Sequence, residues 1–141
     1  LNGGVGELSG LWVSNRLKGL GIGWYLVRAA IASANQLNFG TLVGICGEVT
    51  LQMFKNVGFE VDESLGNKGT FLYPNERLIA FAVGILDLTT LKSAATYDKD
   101  IMLSLRESIK INRVENDKNI DVSVFYNLKY KKISKLKYVK K

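Results

Sequence analysis

The sequence predicts a mixed α/β fold in which a central sheet of mixed strand direction is flanked by helices and closed by a C-terminal β-hairpin. Three observations predict it. A strand, an amphipathic helix and a second strand follow one another between Glu7 and Cys46. The second of these strands is a continuous apolar run, as expected when both faces of a strand are covered. Near the C-terminus two segments alternate at period two around a polar turn.

Glu7-Leu8-Ser9-Gly10-Leu11-Trp12-Val13 reads as a short strand, followed by the polar connector Ser14-Asn15-Arg16. Glycines at 19, 21 and 23 lead into a helix whose apolar positions are Trp24, Val27, Ile31 and Ala34, with Arg28 and Gln36 on the wet side. Ala29-Ala30-Ile31-Ala32 favours helix, and Gly40 is the expected stop. Thr41 to Cys46 is the buried strand, and a crossover of this kind is right-handed with its two strands parallel.

A second helix is expected over Val49–Asn56, with Met53 and Phe54 facing the core. Gly58–Asp62 begins another strand, and Arg77–Asp87 is apolar enough for a central one. Lys99–Ser108 reads as a helix with Ile101, Leu103 and Leu105 as its apolar residues. Ile109–Val114 and Ile120–Tyr126 form the hairpin around Asn116-Asp117-Lys118-Asn119. No internal repeat and no linker divides the chain, so residues 1–128 form one domain and 129–141 a Lys-rich tail.

Composition narrows the chemistry. With 141 residues, 47% apolar and 23% charged, the chain suits one globular domain, and no apolar run approaches membrane-spanning length. No His is present, which removes imidazole catalysis and His-based zinc sites. The single Cys46 allows no intrachain disulfide and no thiolate metal cluster; a buried, unreactive thiol in a reducing cytoplasm is the expectation. Lys110–Lys141 holds ten basic residues against three acidic ones, so residues 1–109 sum to −1 and the +6 charge belongs to the tail.

Glycines at a strand-to-helix junction let backbone N–H groups approach a ligand, and the helix start adds unpaired donors and a positive dipole end. That combination suits phosphate. The dinucleotide pattern Gly-x-Gly-x-x-Gly fails, because Trp24 or Leu26 falls where the third glycine belongs and no acid lies between Trp24 and Gly47. Gly-Lys-Ser/Thr is absent, and a kinase loop lacks its catalytic His.

What remains is Val13-Ser14-Asn15-Arg16-Leu17-Lys18-Gly19-Leu20-Gly21-Ile22-Gly23-Trp24, followed at a distance by Phe54-Lys55-Asn56-Val57-Gly58-Phe59. Together these resemble the GNAT superfamily of acyl-CoA N-acyltransferases. The first segment is similar to its Arg/Gln-x-x-Gly-x-Gly/Ala turn, with Lys18 where Arg or Gln is usual. An alternative register beginning at Arg16 keeps the Arg but shortens the approach from Val13. The second segment is similar to Tyr-x-x-x-Gly-Phe, with Phe54 in place of Tyr. The resemblance covers Glu7–Asp62 and is looser to Asp87. It implies a GNAT-like sheet whose first three strands precede Leu1, consistent with a chain that starts without Met.

The resemblance also implies the chemistry. Backbone N–H groups of Gly19, Leu20, Gly21, Ile22, Gly23 and Trp24, with Lys18 as a positive donor, would hold the diphosphate of acyl-CoA (acetyl-CoA or longer), or the phosphate of acyl-phosphopantetheine. Leu11, Trp12 and Val13 would pair with the pantetheine arm as an added strand. The thioester would enter a slot where this strand splays from Thr41–Cys46. Glu7 is the candidate general base, against the plainer reading of a solvated strand-start carboxylate. No acid is assigned, because Phe54 cannot donate and nothing in the spacing selects Tyr25 or Tyr73.

The stretch through Phe71-Leu72-Tyr73-Pro74 to Val83 resembles the layout of N-acyl amino acid synthases and autoinducer synthases, with Tyr73 and Phe81 expected in the core. The implied co-substrate is a thioester and no metal is implied. The expected partners are a small amine acceptor and an acyl carrier protein, with nucleic acid disfavoured by the −1 balance of residues 1–109. The tail from Lys129 could touch anionic surfaces. A GNAT-fold sensor that binds acyl-CoA without turnover is the alternative.

Overall fold

The structure is a computed structural model and describes residues 3–130. The five-stranded sheet contains β1 (Gly4–Leu8), β2 (Phe39–Gly47), β3 (Glu60–Val61), β4 (Thr70–Leu72) and β5 (Ile79–Ile85). Its order is β1-β2-β5-β3, and β4 also pairs with β5. β1 and β2 run parallel, connected by α1 (Ile22–Ala34), while β2, β3 and β4 are all antiparallel to β5. The remaining elements are α2 (Glu48–Asn56), α3 (Thr96–Glu107) and a separate hairpin, β6 (Lys110–Asp117) with β7 (Ile120–Asn127). The expected mixed sheet, flanking helices and closing hairpin are therefore present.

The alternation along β2 and β5 decides where the core lies. Leu42 and Cys46 of β2, with Val83 and Ile85 of β5, are buried against Val27 and Ile31 of α1 and Phe54 of α2. The intervening residues Val43 and Ile45 are 41% and 56% exposed, so the opposite sheet face is open. Cys46 is buried as expected, and burial raises its thiol pKa above the ordinary value. Ile101, Met102 and Leu105 of α3 complete the core, while Leu103 is only half-buried. Among the described residues, no helix is long and apolar enough to cross a membrane.

Several elements differ from the sequence expectation, each for a local reason. The first strand spans Gly4–Leu8, and Leu11–Val13 lie outside any strand. β1 gains its ladder from β2, which pairs with Gly4–Leu8 and no further. α1 passes into a 3-10 turn at Asn35–Leu37 and is closed by Asn38 in the left-handed conformation, so Gly40 belongs to β2 and is not the stop. Gly58–Asp62 yields only the two-residue β3. Tyr73, expected in the core, is 60% exposed, while Phe81 is half-buried.

Arg28 is the clearest reversal. It was expected on the wet side of its helix and is instead 6% exposed. Its guanidinium contacts Asp98 Oδ1 of α3 through Nε at 2.7 Å and Nη2 at 2.6 Å. It also lies 5.2 Å from the Trp24 ring centroid and 5.5 Å from that of Tyr97. A charged group can be buried here because its counter-charge and two aromatic faces arrive from α3 and its own helix.

The hairpin turns at Lys118-Asn119, both at positive φ (49° and 63°), the geometry of a two-residue type I′ turn. It packs on α1 rather than extending the main sheet. Gln36 fastens its far end by donating to the Leu128 carbonyl at 2.7 Å. Inside the hairpin, the Tyr126 hydroxyl donates to the buried Glu115 carboxylate at 3.0 Å, and Arg113 Nε lies 3.2 Å from the same oxygen. Of the basic tail, the segment from Lys131 onward lies outside the described residues.

Two predictions follow from this packing. Asp98→Ala strands a buried guanidinium and should lower unfolding free energy by about 3–5 kcal/mol in urea titrations, whereas Arg28→Met with Asp98→Leu should recover most of that loss. Burial and the Glu115 carboxylate raise the Tyr126 pKa, and burial first of all raises that of Tyr25. Both phenols then hold protons that the unfolded chain releases near pH 10, so stability should fall as pH rises above about 10. Tyr126→Phe should flatten that slope in unfolding curves measured between pH 8 and 11.

Candidate functional site at the glycine turn and the free edge of β2

The glycine turn is built by one 3-10 turn, two glycines with positive φ and the start of α1. Asn15–Leu17 forms the 3-10 turn, with Arg16 and Lys18 exposed. Gly19 and Gly21 have φ of 81° and 74°, values that L side chains rarely adopt, and Gly21 is the N-cap of α1. Gly23 and Trp24 therefore lie in the first turn of the helix.

Following each amide in this turn shows what it can bind. Lys18 N–H donates to Asn15 O and Leu20 N–H to Leu17 O, both at 3.4 Å. Trp24 N–H donates to Gly21 O at 3.0 Å and Tyr25 N–H to the same oxygen at 3.2 Å. The amides of Gly19, Gly21, Ile22 and Gly23 have no acceptor among the described residues. The amides left without an acceptor are thus fewer than the run from Gly19 to Trp24 expected from the sequence, and they lie at the positive end of a 13-residue helix.

Gly21 also marks a close approach. A Cβ on it would stand 2.7 Å from the Asp117 Cβ at the hairpin tip and 2.7 Å from the Tyr25 hydroxyl. Gly19, by contrast, has nothing within 4 Å of such a carbon. Sequence reading missed Asp117 at this place, because no local signal ties a hairpin tip to a turn almost a hundred residues earlier.

The second part of the candidate site lies beyond the end of β1. The β1–β2 ladder ends at the Leu8–Gly44 pair, yet β2 continues through Ile45, Cys46 and Gly47 paired only with β5. The backbone edge of these three residues on the β1 side has no strand partner, because β1 ends at Leu8; the expected splaying of a Leu11–Val13 strand from β2 is not seen. Leu11 and Trp12, 39% and 77% exposed, lie on the chain that leaves this edge, with half-buried Val13 after them. They are not an ordered strand that an extended ligand would find ready-made.

Glu7 pairs in register with Val43, on the open sheet face. A cleft of about 640 Å³ runs past the end of β1, lined by Glu7, Ser9, Gly47, Glu48, Tyr73 and Arg77. A neighbouring one of about 670 Å³ crosses the open face and shares Glu7 and Ile45 with it. Glu7 thus stands where both clefts meet, exposed and without an ion pair among the described residues. Tyr73 shares its cleft. Among the described residues no group of acidic or Cys side chains is gathered that could hold a metal.

The Phe54-x-x-x-Gly58-Phe59 segment has a structural role. Gly58, at φ 109°, turns the chain so that Phe59 N–H reaches Phe54 O at 3.0 Å. The two rings then meet at 5.0 Å and 50°, both buried in the core. Phe54 therefore faces packing, not the clefts.

No family model, curated protein or solved structure matches the chain.

The glycine turn provides its own test. Gly21→Ala must adopt left-handed backbone and displace Asp117 or Tyr25, whereas Gly19→Ala meets only the backbone cost of about 1–2 kcal/mol. Gly21→Ala should therefore be the more damaging by at least about 1 kcal/mol in thermal unfolding. Equal losses would show that the hairpin tip does not press on the turn.

Proposed function

We propose that the chain is the thioester-binding part of an N-acyltransferase, moving an acyl group from acyl-CoA or an acyl carrier protein to a small amine. The observation that carries this reading is the combination of four amides at a helix start that have no acceptor among the described residues with the β2 edge at Ile45–Gly47, which has no strand partner beyond the end of β1. The parallel β1–α1–β2 crossover and the antiparallel β5 beside it are compatible with the GNAT-like arrangement that the sequence resembles.

In this reading the amides of Gly19, Gly21, Ile22 and Gly23 hold the diphosphate, with Lys18 adding positive charge from the turn. The pantetheine arm bonds to the unpaired edge of Ile45–Gly47 and to the backbone of Leu11–Val13. Glu7 takes a proton from the acceptor's ammonium group, and the freed amine attacks the thioester carbonyl. Collapse of the tetrahedral adduct breaks the C–S bond and forms the amide. The thiolate leaves and is protonated by water or by the Tyr73 hydroxyl, the phenol in the cleft of Glu7.

A second reading is an acyl-CoA sensor without turnover. It is favoured by Phe54, buried in the core where the resembled family carries a proton-donating Tyr.

Release of free thiol from acyl-CoA in the presence of amine acceptors tests the two readings. The transferase should release thiol in an amine-dependent way, and Glu7→Gln should lower the rate by at least about 100-fold with acyl-CoA affinity unchanged. Tight acyl-CoA binding with no thiol release across an amine panel would establish the sensor and remove the transferase.

A further inference from the structure

We infer that Tyr25 is an additional binding residue of the anion site, its hydroxyl donating to a bound phosphate oxygen at a spot that Asp117 of the hairpin tip now guards. The inference rests on the reading that the glycine turn holds a phosphate or diphosphate group.

Tyr25 is the fourth residue of α1. Side chains on a helix lean toward its N-terminus, so the ring runs back along the first turn. Its oxygen arrives 2.7 Å from where a Gly21 Cβ would stand, beside the unpaired amides. The residue is 3% exposed, and its hydroxyl has no hydrogen-bond partner among the described residues.

That orphan is unusual in this fold. The Tyr126 hydroxyl has Glu115, Thr41 has the Leu86 carbonyl and Ser33 the Ala30 carbonyl. Arg106 Nε also lacks a partner, but its two other nitrogens bond to the Leu88 and Thr89 carbonyls. A buried hydroxyl with no acceptor marks a place where an acceptor belongs. At the mouth of a helix N-terminus the fitting acceptor is an anion.

Asp117 gives the site its selectivity. Its Cβ comes as close to Gly21 as the Tyr25 oxygen does, and it has no ion pair among the described residues. Its carboxylate repels an incoming anion and also disfavours ionisation of Tyr25, after burial the second cause of that raised pKa. A diphosphate, with its higher charge and several oxygens, can engage the amides and Tyr25 together and move the Asp117 side chain aside. A singly charged anion gains less from the same donors.

Calorimetric titration of inorganic pyrophosphate and of coenzyme A into the whole chain at low ionic strength tests this. Tyr25→Phe should weaken both ligands at least about fivefold while leaving the ligand-free melting curve in place. Asp117→Asn should tighten both at least about threefold. Wild-type affinity in Tyr25→Phe overturns the inference, and no gain in Asp117→Asn removes the role of Asp117. Pyrophosphate binding with these responses but no coenzyme A binding upholds the inference and sinks the acyl-CoA reading. Failure of both ligands on the wild type overturns both.

Discussion

Four backbone amides in the glycine turn and at the start of α1 have no acceptor among the described residues. Helix starts always leave such donors, but water or a capping side chain normally takes them. Here the N-cap is a glycine with no side chain to offer, and no acidic residue stands in the first turn. The turn itself is glycine-rich: Gly19 has open space beside it, while Gly21 is approached closely by the Asp117 and Tyr25 side chains. The rest of the structure packs α1 against α3 and the hairpin tip, and the β2 edge at Ile45–Gly47 lies at the end of the same β1–α1–β2 crossover.

Two contacts hold α1. Along its length, the Arg28–Asp98 pair ties it to α3 with both charges buried, so a shift of either helix leaves an unpaired charge in the core. At its N-terminus, the hairpin tip closes on Gly21. The hairpin is fixed at its other end by Gln36 and internally by the Tyr126–Glu115–Arg113 cluster. The hairpin thus closes on α1 at both ends and also reaches α3, where Arg113 Nη1 donates to Ser104 Oγ at 3.2 Å. The contact at Gly21 places the Asp117 side chain beside the amides that lack acceptors among the described residues.

Much of this fold was legible. The apolar run Thr41–Cys46 and the period-two segments around Asn116–Asn119 lie in real strands, because an apolar run and turn chemistry are both local signals. The run is covered on one face only, with Val43 and Ile45 exposed where both faces were expected to be buried. The glycine turn was legible for the same reason: positive φ demands glycine at Gly19 and Gly21. Residues whose environment comes from distant chain were not. Arg28 looks like a wet-side charge until Asp98 arrives from α3. Tyr73 looks like core until Tyr73–Leu78 proves to be a loop on the open face. Leu11–Val13 is apolar enough for a strand, yet β2 offers no partner beyond Leu8. At the candidate site, the glycines and Glu7 could be named from the sequence, but the Asp117 and Tyr25 contacts depend on a hairpin folding back over a helix.

The most direct test of the central claim is the response of individual amides to ligand. In ¹⁵N-labelled protein titrated with coenzyme A, the N–H resonances of Gly19, Gly21, Ile22 and Gly23 should shift together with one saturation curve. The Leu20 and Trp24 amides, already bonded within the chain, should shift less. If those four resonances stay in place while the ligand binds elsewhere or not at all, the glycine turn is only a turn and the account built on it is wrong.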